Sequence, residues 1–394
     1  MIQREKYLNK LIAFKEINAI KVITGIRRSG KSVLLKQYME YLKGIGIPKE
    51  NIIYINFEYL DFENLQDFKS LYNYIIEKTI SGKMYVLIDE IQEVINFEKV
   101  IDSLFAQDGK YDIYITGSNS RLLSTEISTL LSGRYVELSI LPFSFSEFLE
   151  ITKLDKKEGF NEYFKYGGLP YVCQIKDIDS KLAYLEGIYN TIVVKDIFER
   201  KKITDVNLLK DILKYVLDTV GNYVSAKKIA DTLTSNGRKT NHITVSNYLC
   251  ALEEAFIIYK VDRYDIRGKQ RLISMQKYYT VDQGFRSFVL HDKKYNVGSI
   301  LENIVFLELI RRGYKVEIGK IDNLEIDFIA YNATEKLYIQ VSASVVDVNV
   351  FQREIKPLLK INDNYKKILL TLDEFPMNYD GISQINIIDW LLNI

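Results

Sequence analysis

The sequence predicts an α/β protein built on a parallel sheet that carries a phosphate-binding loop, with smaller modules following it. Three observations predict this. Residues 25–32, Gly-Ile-Arg-Arg-Ser-Gly-Lys-Ser, fit G-x-x-x-x-G-K-[ST] at every fixed position. A β-rich run at 19–24 enters the loop and a helical run at 32–39 leaves it. A further apolar run, 84–88, ends in the acids Asp89 and Glu90.

Each element has a chemical reading. Gly25 and Gly30 let the chain curl with its N–H groups turned inward, where they can cradle nucleotide phosphates. Ile26, Arg27, Arg28 and Ser29 complete the cradle, and Val33 follows it. Lys31 can reach the β- and γ-phosphates, and the Ser32 hydroxyl can hold Mg²⁺. A second strand is expected at 52–57. Asp89, at the end of the third, suits orientation of the Mg²⁺ water shell. Glu90 suits polarisation of an attacking water as general base. The competing reading of both acids is a solvated strand-to-helix turn.

A fourth strand, 111–116, runs into Gly117-Ser118-Asn119-Ser120. Strand ends on one edge of an open α/β sheet converge on the ligand. Asn119 or Ser118 can therefore reach the γ-phosphate or the water, and helix capping is the competing role. Leu130 to Arg134 ends a helix, and a strand resumes at 135–138. Arg134 suits stabilisation of transition-state charge, in cis or from a neighbouring subunit. It equally suits a cation at a helix C-terminus.

Specific segments extend the pattern. They are Leu-Ile-Asp-Glu-Ile-Gln at 87–92, Ile-Thr-Gly-Ser-Asn-Ser at 115–120, Leu-Ser-Gly-Arg at 131–134 and Leu-Pro-Phe-Ser-Phe-Ser-Glu-Phe at 141–148. Tyr166-Gly167-Gly168-Leu169-Pro170 and Val194-Lys195-Asp196-Ile197 follow them. With the loop, this series resembles a prokaryotic AAA+-type ATPase family whose members carry a C-terminal domain of unknown function. The resemblance spans essentially the whole chain. It implies ATP as the nucleotide, Mg²⁺ beside it, Asn119 at the sensor position and Arg134 as the finger candidate. Gln92 belongs to the same pattern, with no role readable from sequence.

Downstream, residues 143–204 read as short helices able to close over the nucleotide like a lid. Residues 205–284 read as three helices and a hairpin, the outline of a winged helix-turn-helix. Arg238, Lys239 and His242 stand near its third helix, and Arg267, Lys269 and Arg271 at the hairpin tip. Contact with DNA and packing against a protein are both open to this module. Residues 285–394 read as an α/β frame similar to the PD-(D/E)XK, restriction-endonuclease-like nucleases. Glu302 and Asp327 stand where two metal-binding acids would. The E-x-K position reads Gln340-Val341-Ser342, an amide and a hydroxyl in place of an acid and a lysine. A degenerate domain for recognition or assembly is therefore expected ahead of an active nuclease.

Bulk properties set limits. The chain has 394 residues, enough for two or three domains. It is 47% hydrophobic and 27% charged, which suits a globular fold. A net charge of +1 gives nucleic acid no general electrostatic pull. No apolar run reaches membrane-spanning length, and the N-terminus lacks a signal-peptide pattern, so the cytoplasm is the default location. Cys173 and Cys250 have no partners at metal spacing, and His242 and His291 fit no triad. The expectation is an ATPase core at 1–142 acting as a Mg·ATP-driven switch on the later modules. DNA, a protein partner and a second copy are the candidate partners. An ATP-regulated nuclease and a non-hydrolysing DNA-binding scaffold are the alternatives.

Overall fold

The computed structural model describes residues 2–118, 133–199, 203, 205–290 and 296–393. The chain divides into two compact units. One is Met1–Ile140 with Glu254–Phe256, and the other is Leu141–Glu253 with Ile257–Ile394.

The first unit holds strands β1 (Ile20–Thr24), β2 (Ile52–Asn56), β3 (Met84–Asp89), β4 (Tyr111–Gly117) and β5 (Tyr135–Ser139). They form one parallel sheet in the order β2-β3-β4-β1-β5. Among the described residues the helices α1 (Glu5–Ala13), α2 (Lys31–Gly44), α3 (Phe68–Glu77) and α4 (Phe97–Phe105) accompany it. The strands are apolar almost throughout because both faces are covered, as parallel sheets require. Ile20, Val22, Met84, Val86 and Ile88 turn to one core with Leu71, Ile75, Val100 and Leu104. Ile23, Tyr85 and Leu87 turn to the other with Leu8, Leu11, Leu34, Leu35 and Tyr38. The strand order has a functional consequence. It sets β1, β4 and β3 side by side, so the segments leaving their C-terminal ends meet at one edge of the sheet.

The second unit opens with α5 (Phe145–Thr152), α6 (Lys156–Tyr166) and α7 (Ile178–Thr191). Ser144 and Glu147 form a reciprocal capping box at the start of α5, which accounts for the polar pair in Phe-Ser-Phe-Ser-Glu-Phe. The Gly167-Gly168 pair is explained by a close approach. Gly167 has φ 77°, and a Cβ there would lie 1.9 Å from Asp282 Oδ1. The Gly168 N–H donates to Asp282 Oδ2 at 2.7 Å. Burial pushes the Asp282 carboxyl up to about 7, although the N–H groups of Gly168, Gly284 and Leu169 favour its charged form.

Next come α8 (Val206–Asp218), β6 (Tyr223–Val224), α9 (Ala226–Ser235), α10 (His242–Glu254), β7 (Ile258–Asp265) and β8 (Gln270–Thr280). After α11 (Gln283–Leu290) and α12 (Val297–Arg311) the chain forms β9 (Lys315–Ile321), β10 (Leu324–Tyr331) and β11 (Lys336–Val341). It ends with α13 (Val348–Leu359), β12 (Lys366–Thr371), β13 (Ile382–Asn386) and α14 (Ile387–Leu392). The strands join into one eight-stranded sheet, β13-β12-β11-β10-β9-β7-β8-β6. The hairpin β7–β8 is thus built into the sheet of the last module. β7 runs parallel to β9 from Arg263↔Ile318 to Asp265↔Lys320. Two of the three tip cations are engaged within the fold, Arg267 with Asp322 at 2.6 Å and Arg271 with Glu317 at 2.5 Å, while Lys269 is exposed. Arg238 is likewise held by Asp211 at 2.9 Å. Among the described residues no helix is long and apolar enough to cross a membrane.

Candidate nucleotide site

The loop at 25–30 leaves β1 and ends at Gly30, which precedes α2 with φ 100°. Gly25 has φ 143°, and a Cβ there would fall 2.2 Å from the carbonyl oxygen of Ile140. Only glycine fits that position. The same contact ties the loop to the chain just after β5, where the Ile140 N–H also donates to Thr24 O at 2.7 Å. From outside the motif, the buried Arg4 side chain donates to the Ser29 carbonyl at 3.0 Å. Among the described residues, the buried Ser29 hydroxyl has no hydrogen-bond partner.

Lys31 is buried at the start of α2. Its ammonium donates to the carbonyls of Gly25 (3.0 Å) and Ile26 (3.2 Å) and lies 3.8 Å from Glu90 Oε1. Ser32 hydrogen-bonds the Asp89 carboxylate. The expected metal pair, Ser32 and Asp89, is therefore adjacent. Asp89 is fully buried and clamped from both neighbouring strands. Thr116 of β4 donates to Oδ1 at 2.5 Å, and Asn56 of β2 donates to Oδ2 at 3.0 Å.

Glu90 takes the left-handed conformation, φ 55°, at a cost of roughly 1–2 kcal/mol for a non-glycine residue. That turn aims its carboxylate back toward Lys31. Ser118 donates to Oε2 at 3.1 Å, and the Gln92 amide donates to the same oxygen. The Glu90 N–H is held by Thr116 Oγ1 at 3.0 Å. The adjacent acids are pushed in opposite directions. Burial raises Asp89 above the ordinary carboxylate range despite its hydrogen bonds from Thr116 and Ser32. Burial acts the same way on Glu90, but Lys31, Gln92, Arg27 and Ser118 together hold it below that range. Neighbouring acids with divided titration mark candidate acid–base positions.

The loop, Lys31, Ser32, Asp89 and Glu90 converge as the sequence leads one to expect. Asn119 lies outside the described residues. Arg134 is not brought to the loop. It precedes β5, whose register pairs Tyr135 with Ile20 and Ser139 with Thr24. Arg134 therefore stands at the opposite edge of the sheet, about 16 Å back along the strand direction. Its guanidinium pairs with Asp102 at 2.5 Å. In this position the guanidinium makes no contact with the loop.

Several contacts emerge only from the geometry. Thr116 and Asn56 bond Asp89, Arg4 bonds the loop, and Gln92 bonds Glu90. Thr116 sat in view within Ile-Thr-Gly-Ser, a polar residue at a strand end. Nothing local in the sequence distinguishes Arg4.

In the second unit, Glu302 on α12 and Asp327 on β10 also approach one another. The cation they face is a lysine. Lys277 of β8 lies 3.2 Å from Glu302 Oε2 and 2.5 Å from Glu325 Oε1. Tyr279 donates to Glu302 at 3.2 Å. Burial pushes Asp327 and Glu302 upward, and Lys277 opposes it for both. Gln340 is spent within the fold: its oxygen accepts from the Asp327 N–H at 3.4 Å, and its amide donates to Glu354 at 2.9 Å. Asp327 in turn accepts the Val341 N–H at 2.8 Å. Among the described residues, no group of three or more acids, histidines or cysteines is arranged to hold a metal ion.

Comparison with known proteins agrees with the first unit's chemistry. Residues 17–149 match the family described as an AAA domain, and residues 157–295 match one described as a domain of unknown function, DUF8612. An uncharacterized protein of Haemophilus influenzae is 46% identical over 400 aligned positions, covering 100% of this chain and 99% of that protein. The chain belongs to the same family as that protein. A second relative, an uncharacterized protein of Methanocaldococcus jannaschii, is 34% identical, with 98% of this chain and 89% of that protein covered. Among solved structures, the Walker-type ATPase of Pyrococcus abyssi is similar with a TM-score of 0.53. It is 16% identical, and the match covers 73% of this chain and 96% of that one, so the likeness is one of fold. This chain therefore carries an AAA-type P-loop ATPase domain followed by a segment that matches DUF8612.

Proposed function

We propose that the chain is a Mg-dependent ATPase whose nucleotide state is passed to the second unit through the segment that follows β5. The observation that carries this reading is the seat of Ile140 on Gly25. The loop that would wrap the phosphates touches the last residue of the first unit, and Leu141 begins the second. A change in the loop has a covalent path outward.

Mg·ATP fits the residues present. A buried, unpartnered Ser29 hydroxyl, two glycines at positive φ and an ammonium resting on its own loop's carbonyls form a cradle short of an anion. A single carboxylate beside a serine hydroxyl is the usual protein share of a Mg²⁺ site, with phosphates and water completing it. Bound Mg·ATP would supply the γ-phosphoryl group and the metal charge. Lys31 would turn from Gly25 and Ile26 toward the phosphates, and Ser32 and Asp89 would hold the metal. That move withdraws the charge that keeps Glu90 low, so its affinity for a proton rises when a water needs activation. Asn119 keeps the sensor role the family resemblance implies. Arg134 would serve a neighbouring copy.

The winged-helix module, 205–284, and the nuclease-like frame, 285–394, are read as parts the ATPase acts on. DNA remains a candidate partner of the former, with Arg238, Arg267 and Arg271 already paired internally. Nuclease action gains no support, since Lys277 sits against the acids and Gln340 replaces one of them.

Lys31→Ala tests the reading. Steady phosphate release from Mg·ATP should disappear, and ATP affinity should fall at least about tenfold, the loss of roughly 1.4 kcal/mol or more. Release by Lys31→Ala at the unmodified rate would remove the proposal.

A further inference from the structure

The loops after β11 and β12, with the first residue of α13, hold apolar side chains in water. Phe375 is 86% exposed, Val346 81%, Val348 70% and Met377 70%. The backbone beneath them is tied down. Asp373 accepts from Ser344 Oγ (2.6 Å), the Val345 N–H (2.9 Å) and Gln384 (3.2 Å). The Leu372 N–H donates to Ala343 O at 3.1 Å, joining the two loops, and the Met377 N–H donates to Gln384 Oε1 at 3.0 Å. Val348 lies one helical turn before Phe351, whose ring meets Tyr379 edge-on with centroids 5.5 Å apart. Polar bonds thus fix the two loops side by side while their large apolar groups point out. Leaving such side chains in water forfeits the gain of burying them, so a held, exposed cluster of them marks an interaction surface.

Charge selects the occupant. Segments 342–348 and 373–381 contain four acids, Asp347, Asp373, Glu374 and Asp380, and no Lys, Arg or His. Among the described residues, Asp347 and Asp373 accept only from neutral N–H and O–H donors, Asp380 is exposed, and of the four only Glu374 is matched by a cation, Lys157 at 2.8 Å. An apolar centre with an acidic rim repels phosphates, whether of nucleic acid or of anionic lipid, and attracts cations around an apolar anchor. The first loop starts directly after Gln340-Val341, at Ser342, beside the depleted nuclease-like position. We propose that this surface docks a protein segment whose apolar anchor side chains are flanked by Lys or Arg. The proposal stands apart from the nucleotide reading.

The test uses the full chain and a labelled amphipathic peptide of Leu and Lys, read by fluorescence anisotropy. A Leu/Glu peptide of the same pattern and anionic phosphatidylserine vesicles are the comparison probes. The Leu/Lys peptide should bind, with affinity falling at least about tenfold in F375S/M377S and several-fold in E374Q/D380N. Neutralising two distant acids, E50Q/E63Q, should leave binding unchanged, and all three variants should keep the unmodified melting temperature, their positions being exposed. The Leu/Glu peptide and the vesicles should not bind. Equal binding of either comparison probe overturns the proposal, as does unchanged peptide binding in F375S/M377S or E374Q/D380N. Self-association of the chain that F375S/M377S abolishes would assign the surface to a second copy and also overturn it.

Discussion

Glu90→Gln is expected to slow ATP turnover by about 10²–10⁴-fold, the usual worth of a positioned general base, while nucleotide still binds. The left-handed turn at Glu90, the Thr116 hydroxyl on its N–H, and Ser118 and Gln92 on one carboxylate oxygen fix its place. The other oxygen faces Lys31. Glutamine keeps the size and most of these bonds, so the loop and Asp89 should stay in place. What it loses is the capacity to take a proton. Phosphate release measured beside equilibrium ATP binding separates the two effects. Loss of binding together with turnover would assign Glu90 to the structure of the loop. Retained turnover would remove it from the chemistry.

Lys277→Met is expected to destabilise the second unit by about 3–5 kcal/mol, the cost of removing one partner from a buried ionic cluster. Lys277 is buried beside Glu302, Glu325 and Asp327. Burial alone would lower its pKa, but Tyr279 and the three acids raise it well above the ordinary lysine value. Methionine fills much of the same volume, so the loss is mainly electrostatic. The pH dependence identifies it. Without the ammonium, Glu302 and Asp327 bind protons more readily folded than unfolded. The folded state then carries more protons, and stability rises as pH falls from neutral toward the unfolded carboxylate range. Thermal melting of the variant across that window should show partial recovery at the acidic end. A flat profile would point to packing alone.

The phosphate loop and the two acids were legible because their chemistry is local. Gly25, Gly30, Lys31 and Ser32 lie within eight residues, and Asp89-Glu90 ends a strand whose apolar run announces it. The strands of the first sheet are legible for the same reason, since burial on both faces leaves β2 and β3 as apolar runs and interrupts β1 and β4 chiefly at Lys21 and Asp112, which pair with each other. What was hidden depends on partners far along the chain. Thr116 matters because β4 lies beside β3, and Arg4 because α1 packs on α2. Arg134 looked available to the phosphates until strand register placed it at the far edge. The hairpin reads in sequence as the wing of a winged helix-turn-helix, while its pairing with β9 depends on a strand more than fifty residues further along the chain. Lys277 was unreadable as the cation facing Glu302 and Asp327 because it comes from that hairpin. It occupies the acids from a different element than Ser342, where the nuclease pattern places its lysine.

The most direct test of the account is hydrogen exchange of the full chain, with and without Mg·ATP, in a Glu90→Gln background that holds the nucleotide uncleaved. Protection is expected at 25–32, extending through Ile140 into the amides of 141–191, with neither change when Lys31→Ala is added. Protection confined to 25–32, with 141–191 exchanging as in the nucleotide-free protein, would contradict it.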